Sequence, residues 1–456
     1  MTDQVYEQKI PSDRKLLGMI YEHAAQKAAG GPGWLFIETA GGVHSPTPTG
    51  TTQADFYMPL RCPVVLVGDS NLGGISLTIS AFESLTLRGY DVEMVLMFRN
   101  RKHDNYQYLS DYFREHHHGI PVFALGNPPP AKQTSQKTDA EAMARYYREA
   151  SLSDAARAAL DHLEQRHSSR IARLESMAAD AHETIWYPFT QQKLLPRDGI
   201  TTIDAARGDF FQTLIPQTQR HGKTAENALL QPSFDGSASW WTQGLGHSNP
   251  SLTLAAAYAA GRYGHVMFAE AIHEPALALS TTLLKGMQNP RLSRVFFSDN
   301  GSTGVEVALK MALRAARVRY GWAADSKISI IGLKGGYHGD TMGAMDSAEP
   351  SIFNEKVEWY DGKGIWFDYP TIKCTQGSWV VEVPESLKHE DDLGSNREYG
   401  SLYEVFDIAG REARQEEKSY ERYIEKVLKR HVDQGHNFGA LLMEPVVIGA
   451  GGMLLV

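Results

Sequence analysis

The sequence has 456 residues, 42% hydrophobic and 22% charged, with 41 glycines and 21 prolines, which suits a soluble α/β protein of two or three domains. Lysine and arginine number 45 against 54 aspartates and glutamates, and the resulting formal charge of −9 argues against a nucleic-acid or anionic-membrane partner. No apolar run approaches the ~18 residues of a bilayer span, and two distant cysteines, Cys62 and Cys374, indicate neither a disulfide framework nor a thiolate zinc site.

The N-terminal segment is acidic and lacks an apolar h-region, so it does not read as a secretory signal and makes a poor transit peptide. Asp13 to Ala29 reads as a helix, with Leu16, Leu17, Ile20 and Ala24 on one face. Trp34 to Ile37 reads as a buried strand that ends at Glu38 and runs into the glycine-rich turn Thr39 to Pro46. A second apolar strand, Pro63 to Val67, meets the turn Gly68 to Ser76, which opens a helix to about Leu87; Asp91 to Phe98 is a third strand. Strands alternating with helices predict a parallel sheet whose site lies at the strand C-terminal edge. Glu38 stands where a carboxylate could hold Mg²⁺ beside a phosphate, although the residues by themselves favour a solvated strand-end acid. The turn Gly73, Gly74, Ile75, Ser76 could present backbone N–H groups to a carboxylate.

Pro128 to Pro130 and the polar stretch Lys132 to Lys137 mark a linker, followed by an amphipathic helix from Asp154 to Met177. His116, His117 and His118 suggest a loop, with metal ligation the rival reading. From Trp186 to Thr190 the chain reads as an extended anchor around Pro188. The loop Asp235 to Pro250 holds the adjacent Trp240 and Trp241, either a flat ligand wall or core packing. Val295 to Phe297 reads as a buried strand, the turn Ser298 to Gly304 follows, and Val305, Leu309, Ala312 and Leu313 recur at helical spacing. That geometry aims free N–H groups and the hydroxyls of Ser302 and Thr303 at one point, where an anion is favoured. A capped helix start without a ligand has the same pattern. The strand Ile328 to Leu333 leads into a loop carrying Tyr337 and His338. Trp379 to Val383 and a helix with Tyr423, Val427 and Leu428 follow, and the strand Ala440 to Met443 delivers Glu444 and then the glycine-rich stretch Gly449 to Met453.

Two family resemblances rest on these stretches. Ile37 to Val43, Pro63 to Val67 and Leu72 to Ser76 resemble the C-terminal half of dethiobiotin synthetases, P-loop-type parallel-sheet enzymes that close the ureido ring of biotin with ATP, Mg²⁺ and CO₂. The resemblance implies Glu38 as a Mg²⁺ ligand, and Gly73, Gly74, Ile75 and Ser76 as ligands of the diamino-acid carboxylate across a dimer interface. That family carries a G-x-x-x-x-G-K-[ST] loop with a catalytic lysine soon after; no such spacing occurs in this sequence.

The aromatic loop, the Gly301-Ser302-Thr303 turn, the Tyr337-His338 loop and the Glu444-Pro445 strand end, in this order, resemble the N-terminal two-thirds of class III aminotransferases, pyridoxal-phosphate (PLP) enzymes of fold type I. Trp240, Trp241, the run His265 to Phe268 and the Trp186 start bring them nearest to adenosylmethionine-8-amino-7-oxononanoate aminotransferases. The resemblance implies that Gly301, Ser302 and Thr303 bind the PLP phosphate and that Tyr337 stacks on the pyridine ring. It further implies that Trp240 walls the substrate pocket and that Glu444 orients the cofactor through the aspartate that grips the pyridinium nitrogen. Phe189 stands where the family has a tyrosine, which bears on the amino-donor contact. The family's aspartate and cofactor-binding lysine follow the Glu-Pro strand, beyond Val456; Lys334 and Lys310 are poor substitutes.

The two resemblances describe consecutive steps of biotin synthesis. The expectation is therefore a homodimeric biotin-biosynthesis protein. It would use S-adenosylmethionine, 8-amino-7-oxononanoate, 7,8-diaminononanoate, ATP and CO₂, with domains at 1–126, 127–182 (linker and helix) and 183–456. Mitochondrial placement follows from the eukaryotic fusions, and the missing loop and lysine imply a chain shortened at both ends that is inactive alone. The rivals are a class III aminotransferase with another amino acceptor and a non-catalytic, shortened assembly partner.

Overall fold

The computed structural model describes residues 10–454 apart from 32, 101, 118, 131–135, 189, 216–229, 267–268, 389–395, 414, 416 and 451. His118, Phe189, Met267, Phe268, Gly451, Val456 and most of the polar linker after Pro130 lie outside the described residues. The chain packs as two units, 1–271 and 272–456.

In the first unit, α1 (Asp13–Ala28) starts at Ser12, whose hydroxyl accepts the Lys15 N–H. Three parallel strands, β1 (Val64–Val67), β2 (Val92–Phe98) and β3 (Val122–Leu125), form a sheet in that order. Helices α2 (Gly74–Leu87) and α3 (Asn105–His116) join them. Strand side chains alternate between faces, and the packing follows. Leu66, Val95 and Met97 meet Phe82, Leu109 and Phe113, whereas Val65 and Met94 meet Ala159 and Leu163 of a long helix further along the chain. Helix α4 (Gln136–Ser151) precedes α5 (Asp154–Thr184), which Ser153 caps through the Ala156 N–H. An antiparallel sheet β4 (Ile203–Arg207), β5 (Phe210–Leu214) and β6 (Leu230–Phe234) follows, and then α6 (Pro250–Tyr263).

The second unit begins with α7 (Glu274–Met287) and α8 (Gly301–Tyr320). Its parallel sheet has the order β12 (Asn437–Leu441), β7 (Ile328–Leu333), β8 (Gly364–Phe367). Gly439 of β12 permits close approach of α8, since a Cβ there would lie 2.7 Å from Leu313 Cδ2 and 2.6 Å from Ile328 Cγ2. An antiparallel meander, β9 (Thr371–Thr375), β10 (Ser378–Glu382) and β11 (Arg397–Tyr399), buries Ile372 and Val381 against Val405. Helix α9 (Glu417–Asp433) carries Tyr423, whose ring meets Phe367 edge-on.

Two expected strands are absent. Trp34 to Ile37 is irregular and exposed, Phe36 at 64%, and Val295 to Phe297 is likewise irregular, with Phe296 at 65%. Neither run pairs with a described sheet, and apolarity without a neighbouring edge and a covering layer does not make a strand. Glu38 consequently sits on an exposed irregular segment and not at a strand end. The expected strand at 440–443 is displaced to 437–441; the Leu442 N–H still donates to the Ile331 carbonyl at 2.8 Å, and Met443 leads from there into Glu444. The helix after Asp154 runs on to Thr184, past its expected end at Met177.

Candidate functional site

The second unit brings three sequence-distant segments to one place. Parallel pairing of β7 with β12 puts both strand C-termini on one edge, so the loops after Leu333 and Leu441 become neighbours. Tyr337 and Glu444 meet there although 107 positions separate them: the Tyr337 N–H donates to Glu444 Oε1 at 3.1 Å. Glu444 Oε2 accepts the Gly449 N–H at 2.7 Å. One half-buried carboxylate thus ties the two loops together by charge-assisted hydrogen bonds.

The start of α8 supplies the third segment. Asn300 caps it, its side-chain oxygen accepting the Thr303 N–H at 3.0 Å, and the Gly304 N–H returns to the Asn300 carbonyl. The Gly301 and Ser302 N–H groups therefore head the helix, whereas the Thr303 N–H is already used. Ser302 Oγ accepts the Asp340 N–H at 3.1 Å, and Thr341 Oγ1 donates to the Ser302 carbonyl at 3.3 Å. Gly339, at φ 130°, lies so close that a Cβ would sit 2.5 Å from Ser302 Oγ and 2.7 Å from its Cα. Glycine is required there for both conformation and space. Glu306, one turn into α8, accepts the Gly343 N–H at 3.1 Å and pairs with Lys310 at 2.8 Å; the hydrogen bonds from Lys310 and Thr341 lower its pKa to about 2.

Tyr337 is 48% exposed, its hydroxyl donating to Asp340 Oδ2 at 2.9 Å, and burial together with that carboxylate pushes the phenol pKa up. His338 beside it is buried, its Nε2 has no hydrogen-bond partner among the described residues, and burial holds its pKa below the usual histidine range despite the charge of Glu444. Lys334 donates to Asp368 Oδ2 at 2.6 Å, and that bond raises its pKa, the opposite of what a nucleophilic amine needs.

Trp240 and Trp241 belong to the first unit and are 66% and 70% exposed. Ala238, Ser239, Trp240 and Trp241 all have φ between 46° and 62°. For L-residues this conformation costs roughly 1–2 kcal/mol each, and it is held by Asp235. That buried carboxylate accepts Ser237 Oγ at 3.0 Å, Ser239 Oγ at 2.8 Å and His247 Nε2 at 2.9 Å. Burial pushes its pKa up, but the bonds from His247 and Ser239 win and leave it below the usual carboxylate range. Sequence reasoning missed Asp235, Asn300 and Asp340. Asn300 was legible as a capping residue three places before Thr303, and Asp-x-Ser-x-Ser at Asp235 is a turn signal.

In the first unit, Gly73 adopts φ 88° and precedes α2, whose first turn has no side-chain cap. A Cβ at Gly74 would overlap the Asp69 carbonyl at 2.0 Å, and Asn105 Nδ2 fixes that turn through the Asp69 and Asn71 carbonyls at 3.0 and 2.7 Å. The N–H groups of Ile75 and Ser76 lie at positions able to receive an anion. Glu38 is exposed, and among the described residues no group of three His, Cys, Asp or Glu side chains could hold a metal ion. The His116 and His117 rings each lie 5.2 Å from that of Tyr112, tilted to it by 48° and 50°. Among the described residues no helix is long and apolar enough to cross a membrane.

Comparison with known proteins gives a match to the family described as "Aminotransferase class-III" over residues 218–456 and to that described as "AAA domain" over residues 12–176. The bifunctional dethiobiotin synthetase/adenosylmethionine-8-amino-7-oxononanoate aminotransferase of Emericella nidulans is 52% identical over 98% of this chain and 56% of its own length. Two plant proteins, each called "Bifunctional dethiobiotin synthetase/7,8-diamino-pelargonic acid aminotransferase, mitochondrial", are also similar. That of Oryza sativa subsp. japonica is 38% identical over 97% of this chain and 53% of its length. The Arabidopsis thaliana protein is 40% identical over 92% and 49%. The chain spans about half the length of these curated relatives.

Proposed function

The chain belongs to the class III aminotransferase family, and from that premise we propose that it serves two consecutive steps of biotin biosynthesis. The first transfers an amino group from S-adenosylmethionine to 8-amino-7-oxononanoate, giving 7,8-diaminononanoate. The second carboxylates and cyclises that product to dethiobiotin with ATP, Mg²⁺ and CO₂. Two segments in the order AAA domain, then class III aminotransferase, support this reading, since the similar fungal and plant proteins carry both activities in their names. We assign residues 1–126 to the synthetase-like domain, 127–182 to a linker and helix, and 183–456 to the aminotransferase domain. Dimerisation and mitochondrial placement belong to the same proposal, the latter by analogy with the plant proteins' names.

The observation that carries the proposal is the packing of the Tyr337 loop on the start of α8, through the Asp340 N–H to Ser302 Oγ bond. PLP fits this arrangement in its phosphate and its ring. The N–H groups of Gly301 and Ser302 and the hydroxyls of Ser302 and Thr303 would hold the phosphate. Tyr337 would cover the ring, and Glu444 would fix the height of Tyr337 through its backbone N–H. When bound, PLP withdraws electrons from the carbon bearing the transferred amine. In the other unit, Ile75 and Ser76 with Gly73 and Gly74 would receive the carboxylate of the diamino acid, and Glu38 would hold Mg²⁺. Trp240, fixed by the Asp235 turn, would form a wall for the oxononanoate chain.

The test is product formation by the purified full-length protein. With S-adenosylmethionine and 8-amino-7-oxononanoate it should give 7,8-diaminononanoate, and on addition of ATP, Mg²⁺ and bicarbonate it should give dethiobiotin. Amino transfer without cyclisation would reduce the first unit to a relic and overturn the two-step reading.

A further inference from the structure

A cavity of about 760 Å³ opens in the first unit between the turn joining β4 to β5 and the segments 58–61 and 88–90. Its volume lies in the range of small-molecule sites. Three arginines line it, and two are matched by carboxylates. Arg61 donates to Asp91 at 2.6 Å and stands 3.4 Å from Asp204; Arg88 pairs with Asp55 at 2.8 Å. Arg207 differs. No carboxylate lies within 4.0 Å of its guanidinium among the described residues, and its acceptor is the thioether of Met58.

A guanidinium offers five N–H donors, and a thioether is a weak acceptor. Arg207 is half-buried, no protein oxygen accepts from its guanidinium among the described residues, and burial depresses its pKa against the charge of Asp55. Desolvating a cation without a counter-charge is unfavourable. The remaining wall is largely apolar, with Met58, Pro59, Phe210, Leu245 and Pro250. Asp204 and Asp209 also line the cavity, which disfavours a doubly charged phosphate beside them.

We propose that this cavity binds a small organic monocarboxylate, its carboxylate on the Arg207 guanidinium and its apolar chain against Met58, Phe210 and Leu245. The fork of the guanidinium matches a carboxylate in two parallel hydrogen bonds. The site is independent of the PLP reading.

Calorimetric titration of the chain with octanoate tests it. The wild type binds octanoate, Arg207→Gln binds at least tenfold more weakly, and Arg207→Lys falls between them. Octylamine does not bind, and inorganic phosphate does not compete. Without ligand, Arg207→Gln has an unchanged or higher melting temperature, because it removes an uncompensated cation. PLP affinity is the same in Arg207→Gln and wild type, so failure here leaves the cofactor reading standing. Octanoate affinity within twofold of wild type in Arg207→Gln, displacement by octylamine or phosphate, or a ligand-free melting temperature several degrees lower would each overturn the proposal.

Discussion

Glu444 accepts two backbone N–H groups from loops that no ladder connects, so its charge is worth more than its exposure suggests. Replacing Glu444 by Gln leaves one acceptor oxygen for two donors and should cost roughly 1.5–3 kcal/mol in the closed arrangement of the loops. Faster hydrogen exchange at the Tyr337 and Gly449 amides would register it; unchanged protection would refute the clamp. Gly339 is the complementary case. Alanine there must move Ser302 and hold φ 130°, at about 1–3 kcal/mol, and should lower the urea midpoint and weaken PLP together. Glu306 adds a pH dependence of known sign. Its folded pKa of about 2 lies below the ordinary 4.5, so its contribution is complete above about 4.5 and is lost as pH falls toward 2. Loss of Gly343 amide protection across that window is the expected readout. None of these three roles was legible in the sequence, because each joins positions 37 to 107 apart in the chain.

Elements divide by what makes them. Helix α8 was readable because its cap, its glycine turn and its apolar spacing are all local. Strand β7 was readable from Ile328, Ile330, Ile331 and Leu333, a short apolar-rich stretch between polar residues. Trp34 to Ile37 and Val295 to Phe297 look as apolar as β1, yet pairing is a property of the neighbour and not of the run. The left-handed stretch from Ala238 to Trp241 was hidden for another reason, since none of its residue types favours positive φ and Asp235 imposes it from outside. Helix α5 shows how much one contact carries. Leu163 packs on Met94 from the side of the sheet opposite Phe82, so Leu163→Ala should destabilise the first unit by about 2–5 kcal/mol. Thermal unfolding would measure it, and a loss below about 0.5 kcal/mol, the ordinary scale of a surface change, would mean that α5 does not cover the sheet.

At the scale of the whole chain, the order of its two family segments was legible from motifs, because phosphate-binding turns and aromatic loops are short and chemically demanding. The cavity around Arg207 was not, since it needs segments near 58, 90, 207 and 245 to converge. The central claim is that the start of α8 grips the phosphate of PLP. Equilibrium titration of the chain with PLP and with pyridoxal, in wild type and in Ser302→Ala, tests it most directly. PLP should bind more tightly than pyridoxal to wild type, and Ser302→Ala should weaken PLP about tenfold, the loss of roughly one hydrogen bond to a charged group, while leaving pyridoxal unchanged. Equal binding of the two ligands to wild type, or an equal loss of both in Ser302→Ala, would contradict the account.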